Sequence, residues 1–359
     1  MTGLIKYSNK YHVSLINVFG EWTRLKNQNN NCVNFIDLFL ARKINFEKDI
    51  TGYFKSRAFY LFVGFFSFLS LHKLIKNKKP DVIIIHLLSF IPLTLNLFFS
   101  YETKFILRIS GFPRLNFFRK FLWKLNSKKI EKIICPTEET KNYLIERKIF
   151  HENKLILIED PIIEISKILK MRNQKIPQFI KNKKYILSIG RLSIQKNYEL
   201  LLNFFNIESK KDPKLYLVIA GEGEERSNIM KFIKKNSLEE RVILLGFKNN
   251  IHNLLKHCYC FILTSLWEDP GFVLIEAAIN NANIISSNCK SGPKEILSNG
   301  KGGFLFDSNN LLSLINVFEN FKKSSKENIY NKKYYSKKKA LNYSKFRHFK
   351  KLNNFLIYN

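Results

Sequence analysis

The sequence predicts an α/β protein made of two doubly wound domains, and three observations support this fold class. The chain has 359 residues, which is more than one hydrophobic core usually organises. Short apolar runs alternate with longer segments of helical pattern, as in parallel sheets whose two faces are covered by helices. A polar, Lys-rich stretch separates two such sets of runs. Each set therefore predicts one domain with its own parallel sheet.

The apolar runs are the predicted strands, and the segments between them are the predicted helices. In the first half the runs lie at 13–18, 82–85, 104–110, 132–136 and 155–160. In the second half they lie at 185–190, 215–221, 242–247, 260–265, 283–287 and 303–306. We expect a ligand at the carboxyl ends of the strands, in a cleft between the two domains.

The same patterns divide the chain into four parts. The first domain is expected to span residues 1–161, and the linker residues 162–182. The second domain is expected to span residues 183–320. The remainder, 321–359, is strongly basic and predicts a helical segment that crosses back to the first domain.

The composition is that of a folded protein with a basic surface. Hydrophobic residues make up 45% of the chain, and 60 Lys and Arg against 29 Asp and Glu give a net charge of +31. Such a surface attracts nucleotides, nucleic acids or acidic lipids. The sequence has no zinc-finger spacing, basic-region heptads or RNA-binding aromatic signature. We therefore expect a largely solvated basic surface and no nucleic-acid partner.

The cysteines and histidines predict neither disulfides nor a metal site. Five cysteines, an odd number, are scattered along the chain, and no signal peptide precedes them. This pattern favours free thiols in a reducing cytoplasm. Neither the cysteines nor the seven histidines have the spacing of metal ligands.

Two apolar runs have compositions close to those of membrane segments. Residues 82–100 are uncharged, but His86, Pro92 and Asn96 interrupt them, so we interpret the run as a buried strand, a turn and a short helix. Residues 58–71 are too short to span and are flanked by basic residues. A helix on an anionic membrane surface and a core helix with a basic edge explain the second run equally well.

Loops after the predicted strands of the second half carry the residues suited to binding a nucleotide. Gly190 ends one strand and is followed by Arg191 and Lys196, which precede a predicted helix. A forked donor, a point charge and a helix N-terminus together suit a diphosphate. The next two strands end in the sequences Gly221-Glu222-Gly223 and Gly246-Phe247-Lys248. Phe247 is as well suited to packing in the core as to holding a nucleobase.

The stretch SLWEDPGFVLIEAA, residues 265–278, contains two glutamates separated by seven residues. Glu268 is expected in a loop and Glu276 on an early turn of a helix that runs from Phe272 to about Asn280. Asn281 is expected to end this helix in the left-handed conformation. Carboxylates accept hydrogen bonds from hydroxyl pairs, and helix N–H groups bind anions. A ligand with hydroxyls at both ends and phosphates between them, a nucleotide-sugar, fits this pattern.

These residues resemble the retaining glycosyltransferases of family 4, which have the GT-B fold of two Rossmann-like domains facing a central cleft. The resemblance rests on an ordered set of motifs, chiefly in the second half. They are GRLSIQKN, AGEGEE, LLGF, the paired glutamates and SGPKEI (291–296). The first half is similar only in layout, through KPDVIIIH, RISGFPR and CPTEET.

The resemblance implies a role for each of these positions. Arg191 and Lys196 would bind the donor diphosphate and stabilise the leaving group, and Glu268 would contact the sugar hydroxyls. Glu276 would hold the ribose. The other residues implied in donor binding are Gly190, Gly221, Glu222, Phe247, Lys248, Gly271, Phe272, Val273 and Ser291. No metal or other cofactor is expected, because cations and helix dipoles neutralise the leaving diphosphate.

The sequence departs from the family pattern at three places. Glu268 is followed by Asp269-Pro270 where the family often has Gly-Phe, and Ser110-Gly111 stands where the family commonly has a His. His86 is an alternative on the acceptor side, although a His in an apolar strand is more often a packed residue. The family's first strand and Gly-rich loop are expected to be missing.

The resemblance implies transfer of a sugar, with a UDP donor favoured by the SGPKE motif. The acceptor would be a glycan, either lipid-linked or an intermediate of a surface polysaccharide such as O-antigen or capsule. The expected location is the cytoplasmic face of a bacterial cell membrane, at an anionic lipid surface. The alternative function is a truncated relative that binds nucleotide-sugar without catalysis.

Overall fold

The computed structural model describes residues 11–18, 34–38, 53–86, 88–113, 115–268, 270–290 and 292–358. The chain divides into two compact units. The first unit contains Met1–Ile158 together with Phe349–Asn359, and the second contains Glu159–His348.

The first unit contains two parallel sheets. Strands β1 (Ser14–Asn17) and β2 (Asn34–Asp37) form the smaller sheet. The larger sheet has four strands in the order β3 (Val82–Ile85), β4 (Lys104–Arg108), β5 (Lys132–Cys135) and β6 (Leu155–Leu157). Its helices are α1 (Tyr53–Lys78), α2 (Phe90–Phe98), α3 (Phe117–Asn126) and α4 (Glu138–Glu146).

Helices cover the larger sheet of the first unit, and alternation along β4 directs side chains to both of its faces. Phe105 and Leu107 pack in one cluster with Leu71 of α1 and Leu93 of α2. Ile106, between them in sequence, packs instead with a separate cluster that includes Leu352 from the end of the chain. The strands are therefore buried on both sides, which is why they have continuous apolar sequences.

The first-unit strands confirm the five predicted runs and add one that the pattern missed. Residues 82–100 divide into β3 and α2, in agreement with the interpretation as a strand, a turn and a helix. Strand β2 has the sequence NFID, whose polar ends hide it from a search for continuous apolar runs. Among the helices described here, none has both the length and the apolar character required to cross a bilayer.

The run at 58–71 lies inside α1, and its C-terminal part packs in the core. Ser67 and Leu71 are buried, and Ile75 continues the same helical face one turn later. Phe66 and Leu69 lie on the other side and are 41% and 53% exposed. This half of the run thus follows the interpretation as a core helix.

The second unit contains one parallel sheet with the strand order β12–β11–β10–β7–β8–β9. The strands are β7 (Lys184–Ile189), β8 (Leu215–Ala220), β9 (Val242–Leu244), β10 (Cys260–Leu263), β11 (Ile284–Ser287) and β12 (Phe304–Phe306). All six match predicted runs. The order reverses between β7 and β10, so these neighbours form the topological switch point of the sheet.

The helices of the second unit cover both faces of this sheet. They are α5 (Ile165–Arg172), α6 (Tyr198–Lys211), α7 (Arg226–Lys235), α8 (His252–His257), α9 (Phe272–Ile279), α10 (Pro293–Ile296), α11 (Leu311–Lys323) and α12 (Lys326–Ala340). The last helix, α13 (Lys345–Tyr358), begins in the second unit, and its residues from Phe349 onward belong to the first. Leu187 and Phe261 point into one core cluster, and Ile186 and Ile262 into the other. This two-sided burial fixes β7 and β10 as a rigid support for the loops that follow them.

The observed unit boundaries differ from the expected ones at two places. Ile163, Ile168 and Ile180, within the expected linker, are buried in the core of the second unit. Their wide spacing in a Lys-rich segment conceals this packing at the level of sequence. Likewise, most of the basic C-terminal segment belongs to the second unit, and only its last residues, Phe349–Asn359, belong to the first.

Candidate functional site

The loop after β7 brings two basic residues to the switch point of the second unit. Gly190 ends the strand, and Ile194–Lys196 form a single 3-10 turn. Asn197, in the left-handed conformation with φ of 50°, turns the chain into α6. Lys196 is therefore fixed just before the start of a helix, where backbone N–H groups and the helix dipole favour anions. Arg191 lies nearer the surface and contacts Glu224 at 3.1 Å, with 75% of its side chain exposed.

The loops after β7, β8 and β9 approach one another through their glycines. Gly190 N–H donates to the Ala220 carbonyl at 3.1 Å, and Gly221 N–H donates to the Gly246 carbonyl at 2.9 Å. A Cβ at Gly221 would lie 1.8 Å from the Gly190 carbonyl oxygen. Gly221 is thus required by contact between two backbones, a reason distinct from the close approach of a ligand that the sequence suggested.

The decisive contact of the site is between Lys196 and Glu268. Lys196 Nζ lies 2.6 Å from Glu268 Oε1, with 15% and 5% of the two side chains exposed. Ser265 Oγ donates to the same carboxylate oxygen at 2.5 Å. Burying two charges costs desolvation energy, which such a close pair and an added hydrogen bond offset. A cation and a carboxylate are consequently held together, mostly out of water, where β7 and β10 end.

Hydroxyl and amide groups behind this pair tie the two loops together. Thr264 Oγ1 donates to the Lys196 carbonyl at 2.9 Å, and Ser287 Oγ donates to the Ser265 carbonyl at 2.7 Å. Gln195 Nε2 donates to the Trp267 carbonyl at 2.8 Å. None of these polar residues has a role predicted from the sequence. Gln195 lies within the GRLSIQKN motif and Ser265 opens the stretch with the paired glutamates, whereas Thr264 and Ser287 have no signal beyond their positions after β10 and at the end of β11.

The start of α9 confirms the expected local structure. Gly271 has a φ of 90°, in the left-handed region that favours glycine, and precedes the first helical residue, Phe272. Phe272 is 39% exposed, whereas Val273 is buried. The helix ends with Asn281 at a φ of 60°, as predicted from its sequence. Asp269 and Ser291, both singled out from the sequence, lie outside the described residues.

Glu276 lies on the second turn of α9 in an environment unlike that of Glu268. Burial raises the pKa of the Glu276 carboxyl from 4.5 to about 7. Removal from water disfavours the charged form. Near neutral pH this group therefore exists in both protonation states, as a hydrogen-bond acceptor when ionised and also as a donor when protonated.

The residues after β8 and β9 lie on the surface of the second unit. Phe247 follows Gly246 and is 73% exposed, so the core-packing interpretation of this residue is wrong. Glu222 forms an ion pair with Arg226 at 3.5 Å. Lys248 lines a cavity of about 310 Å³ together with Lys175 and Asn250.

The acceptor-side candidates lie together in the first unit. Arg108 Nη1 lies 3.1 Å from both His86 Nδ1 and Ser110 Oγ. Gly111 follows with a φ of 77°. His86 is exposed, so it is not the packed core residue that its apolar surroundings suggested. Arg108, which contacts both candidates, was not predicted as a site residue because the sequence pattern places it in a strand.

The described residues contain no group of three or more His, Cys, Asp or Glu side chains arranged to hold a metal ion. Four cysteines, Cys135, Cys258, Cys260 and Cys289, are free thiols. Metal independence of the reaction stays a prediction.

Comparison with known proteins identifies the part of the chain that carries this site. Residues 170–339 match the family model described as glycosyl transferases group 1. This segment, slightly less than half of the chain, is similar to the glycosyl transferases of group 1. It contains the Lys196–Glu268 pair, Glu276 and the loops after β7 to β10.

Curated relatives of the chain include several glycosyltransferases. An uncharacterized glycosyltransferase of Methanocaldococcus jannaschii is 33% identical over 243 residues, which are 63% of this chain and 60% of the relative. The Escherichia coli UDP-Gal:alpha-D-GlcNAc-diphosphoundecaprenol alpha-1,3-galactosyltransferase is 28% identical over 70% of this chain and 68% of its own. The matched part spans only 36% to 60% of the first four relatives.

Solved structures share the fold over almost the whole chain. A glycosyltransferase from Rickettsia africae superposes with a TM-score of 0.76 at 16% identity, covering 99% of this chain and 92% of its own. Anabaena HepE in complex with UDP superposes with a TM-score of 0.74 at 15% identity, covering 100% of this chain and 96% of its own. The fold is accordingly GT-B, with two Rossmann-like units.

Proposed function

We propose that this protein is a retaining glycosyltransferase that moves a sugar from a UDP-linked donor to a lipid-linked or surface-polysaccharide acceptor. The observation that carries this proposal is the ion pair between Lys196 and Glu268, two residues 72 positions apart. It lies at the switch point of the sheet, within the segment that is similar to group 1 glycosyl transferases. The Lys196 cation can bind a phosphate, and the adjacent Glu268 carboxylate can bind sugar hydroxyls. These are the two groups that the sugar-phosphate bond of a nucleotide-sugar joins.

In the proposed complex, Arg191 and Lys196 bind the donor diphosphate at the start of α6. The pair between Arg191 and Glu224 lies on the surface, where water screens the attraction, so Arg191 exchanges its partner for a phosphate at little cost. Lys196 stands where its charge meets both the diphosphate and Glu268. Fixed positive charges of this kind stabilise the negative charge that develops on a departing phosphate.

The two glutamates bind hydroxyl groups at opposite ends of the donor. Glu268 accepts hydrogen bonds from the sugar, and Ser265 keeps its carboxylate oriented. Glu276 binds the ribose, next to the backbone of Gly271–Val273. The exposed ring of Phe247 stacks with the base, and Gly190, Gly221, Glu222 and Lys248 line the remainder of the donor site.

The chemical step is a substitution at the anomeric carbon of the donor sugar. The bond from this carbon to the diphosphate oxygen breaks, and a bond to the acceptor hydroxyl oxygen forms on the same face. The acceptor proton passes to the departing phosphate oxygen. On the acceptor side, the candidates are Ser110, Gly111 and His86. Because protein cations neutralise the leaving group, the step is proposed to need no metal.

The substrate classes follow from what the relatives are named for. The Escherichia coli relative is named for transfer from UDP-Gal to a diphosphoundecaprenol-linked sugar. A Campylobacter jejuni relative, 33% identical over 44% of this chain and 41% of its own, is named as an N-acetylgalactosaminyltransferase acting on a diphospho-undecaprenol substrate. We therefore propose a hexosyl or N-acetylhexosaminyl transfer, at the inner face of a bacterial membrane where the acceptor lipid is embedded.

The proposal is tested by measuring donor binding and turnover with UDP-, GDP- and ADP-sugars on the purified chain. Lys196→Ala is expected to lower turnover at least about 100-fold, because it removes a charge that acts in the transition state. Glu276→Ala is expected to weaken donor binding about tenfold through loss of a buried hydrogen bond to the ligand. Calorimetry and release of free UDP provide the two readouts.

Exposed residues of the same unit serve as matched controls. Lys231→Ala and Glu239→Ala change the same residue types on the surface and are expected to leave both readouts unaltered. Full turnover by the Lys196→Ala variant, or unaltered donor binding by the Glu276→Ala variant, would refute the assignment. Donor binding without any turnover by the parent chain would instead favour the non-catalytic alternative.

A further inference from the structure

Helix α3 of the first unit exposes an apolar stripe that its own fold does not cover. Phe117, Phe118 and Phe121 are 78%, 80% and 56% exposed, and Leu125 is 49% exposed. Residues 117, 121 and 125 are spaced by four, so they lie along one face of the helix. Isolated exposed apolar residues are common in proteins, whereas four on one short helix form a patch of the kind that marks an interaction surface.

The aromatic rings of this stripe contact one another. The ring centroids of Phe117 and Phe121 are 6.3 Å apart in a stacked arrangement, with 7° between their planes. Phe117 and Phe118 meet edge to face, with centroids 5.9 Å apart. The other side of the helix supplies the core contacts, since Trp123 and Asn126 are buried. The helix thus has one face for its own unit and an aromatic cluster facing outward.

Basic residues surround this stripe, and acidic residues are absent from the sequence around it. Arg119, Lys120, Lys124 and Lys128 are all exposed. No Asp or Glu occurs between Glu102 and Glu131. An apolar stripe bordered by cations is complementary to a bilayer with anionic headgroups, because the rings enter the acyl boundary while the cations meet phosphates.

We infer that the α3 surface, defined by Phe117, Phe118, Phe121 and Leu125 with Lys120 and Lys124, docks the protein on an anionic phospholipid membrane. The inference rests on the membrane location proposed above and names the surface responsible for it. A second copy of the chain fits this surface poorly, since a two-fold contact would place like charges of both copies together.

Vesicle flotation with the purified full chain tests the inference. The parent is expected to bind vesicles of phosphatidylcholine and phosphatidylglycerol, and to bind less as salt screens the charges. The triple variant Phe117→Ser, Phe118→Ser and Phe121→Ser is expected to lose binding by about tenfold or more. Because these side chains are exposed, far-UV circular dichroism and the melting temperature should remain those of the parent.

Charge and position are tested by matched variants. Lys120→Glu with Lys124→Glu is expected to weaken binding about tenfold or more, whereas the exposed pair Lys234→Glu with Lys235→Glu on α7 should not. Phe179→Ser, at a residue that is 53% exposed in the second unit, is the control for the aromatic changes. In the Phe118→Trp variant the fluorescence of the introduced indole should shift to the blue on vesicles, and in the Phe179→Trp variant it should not.

Three results would overturn the inference. The first is equal vesicle binding by the parent and the triple variant. The second is equal binding of the parent to vesicles with and without phosphatidylglycerol. The third is a parent that is dimeric in solution when the triple variant is monomeric. The donor assays described above are performed without membranes. A parent chain that binds vesicles but shows no turnover would therefore refute the transferase proposal alone. A parent chain that turns over the donor but does not bind vesicles would refute the α3 surface alone.

Discussion

At the scale of single residues, Glu268 and Glu276 show how one motif produces two different carboxylates. Glu268 is 5% exposed and is held by Lys196 and Ser265. Glu276 is raised in pKa by burial. The sequence predicted a loop position for Glu268 and a helical position for Glu276, but the difference in their partners and burial became visible only in the structure. Their difference suits two tasks, an oriented acceptor for sugar hydroxyls and a group whose protonation changes near neutral pH.

Glu276→Gln is expected to stabilise the folded protein at high pH. The folded pKa of about 7 lies above the ordinary value of 4.5, so folding holds a proton that the unfolded chain releases. The loss of folding stability from burying the ionised carboxylate is absent below pH 4.5, develops between pH 4.5 and 7, and is complete above pH 7. The expected gain above pH 7 is roughly 2 kcal/mol, measured as the free energy of urea unfolding against pH.

The surface variant Glu239→Gln is the control for this pH series, since its exposed side chain is solvated in the folded and unfolded states alike. If Glu276→Gln were equally stable relative to the parent at pH 4 and pH 8, burial would not be penalising the carboxylate. A gain in stability accompanied by weaker donor binding would show that the group is retained for function.

At the scale of elements, the loops at the carboxyl ends of β7, β8 and β9 act as one assembly. Gly190, Gly221 and Gly246 are linked by backbone hydrogen bonds and by direct contact. The sequence predicted that these loops face a ligand, because each contains a glycine after a strand. The structure shows that Gly221 also allows neighbouring loops to touch, a requirement that depends on strand order and is invisible in one segment.

Gly221→Ala is expected to destabilise the protein by about 2 to 3 kcal/mol and to weaken donor binding, because a Cβ there forces two backbones apart. Gly64→Ala is the matched control: it lies within α1 and has nothing within 4 Å of an added Cβ. Alanine favours helix over glycine, so this change should stabilise by about 0.5 to 1 kcal/mol. Urea unfolding that ranks the two variants alike would contradict this explanation.

At the scale of the whole molecule, the excess of positive charge dominates the long-range electrostatics. The chain has 60 Lys and Arg but only 29 Asp and Glu, so more than half of the cations would lack an acidic partner even if every acid were paired with one cation. Exposed pairs such as Lys184 with Asp212, 2.9 Å apart, contribute little individually. Self-repulsion should therefore outweigh the attraction within surface ion pairs.

Raising NaCl from about 0.02 M to about 0.5 M is accordingly expected to increase the melting temperature by roughly 3 °C, through screening of like charges. Calorimetry in the absence of vesicles and nucleotide measures this effect. A parallel series in sucrose, which does not screen charge, controls for general stabilisation by solute. A melting temperature that falls with salt would show that surface ion pairs dominate.

The parallel sheets, the glycine loops and the paired glutamates could all be predicted from the sequence, because strand pattern, turn conformation and helix caps depend on neighbouring residues. The sequence pattern missed β2, whose ends are polar, and the buried isoleucines of the expected linker, which are too widely spaced to form a pattern. The pairing of Lys196 with Glu268 across 72 positions and the outward orientation of the phenylalanines of α3 became visible only in the folded molecule. Such outcomes depend on which elements pack together. That is set by the order of the strands in each sheet and by which helices cover each of its two faces.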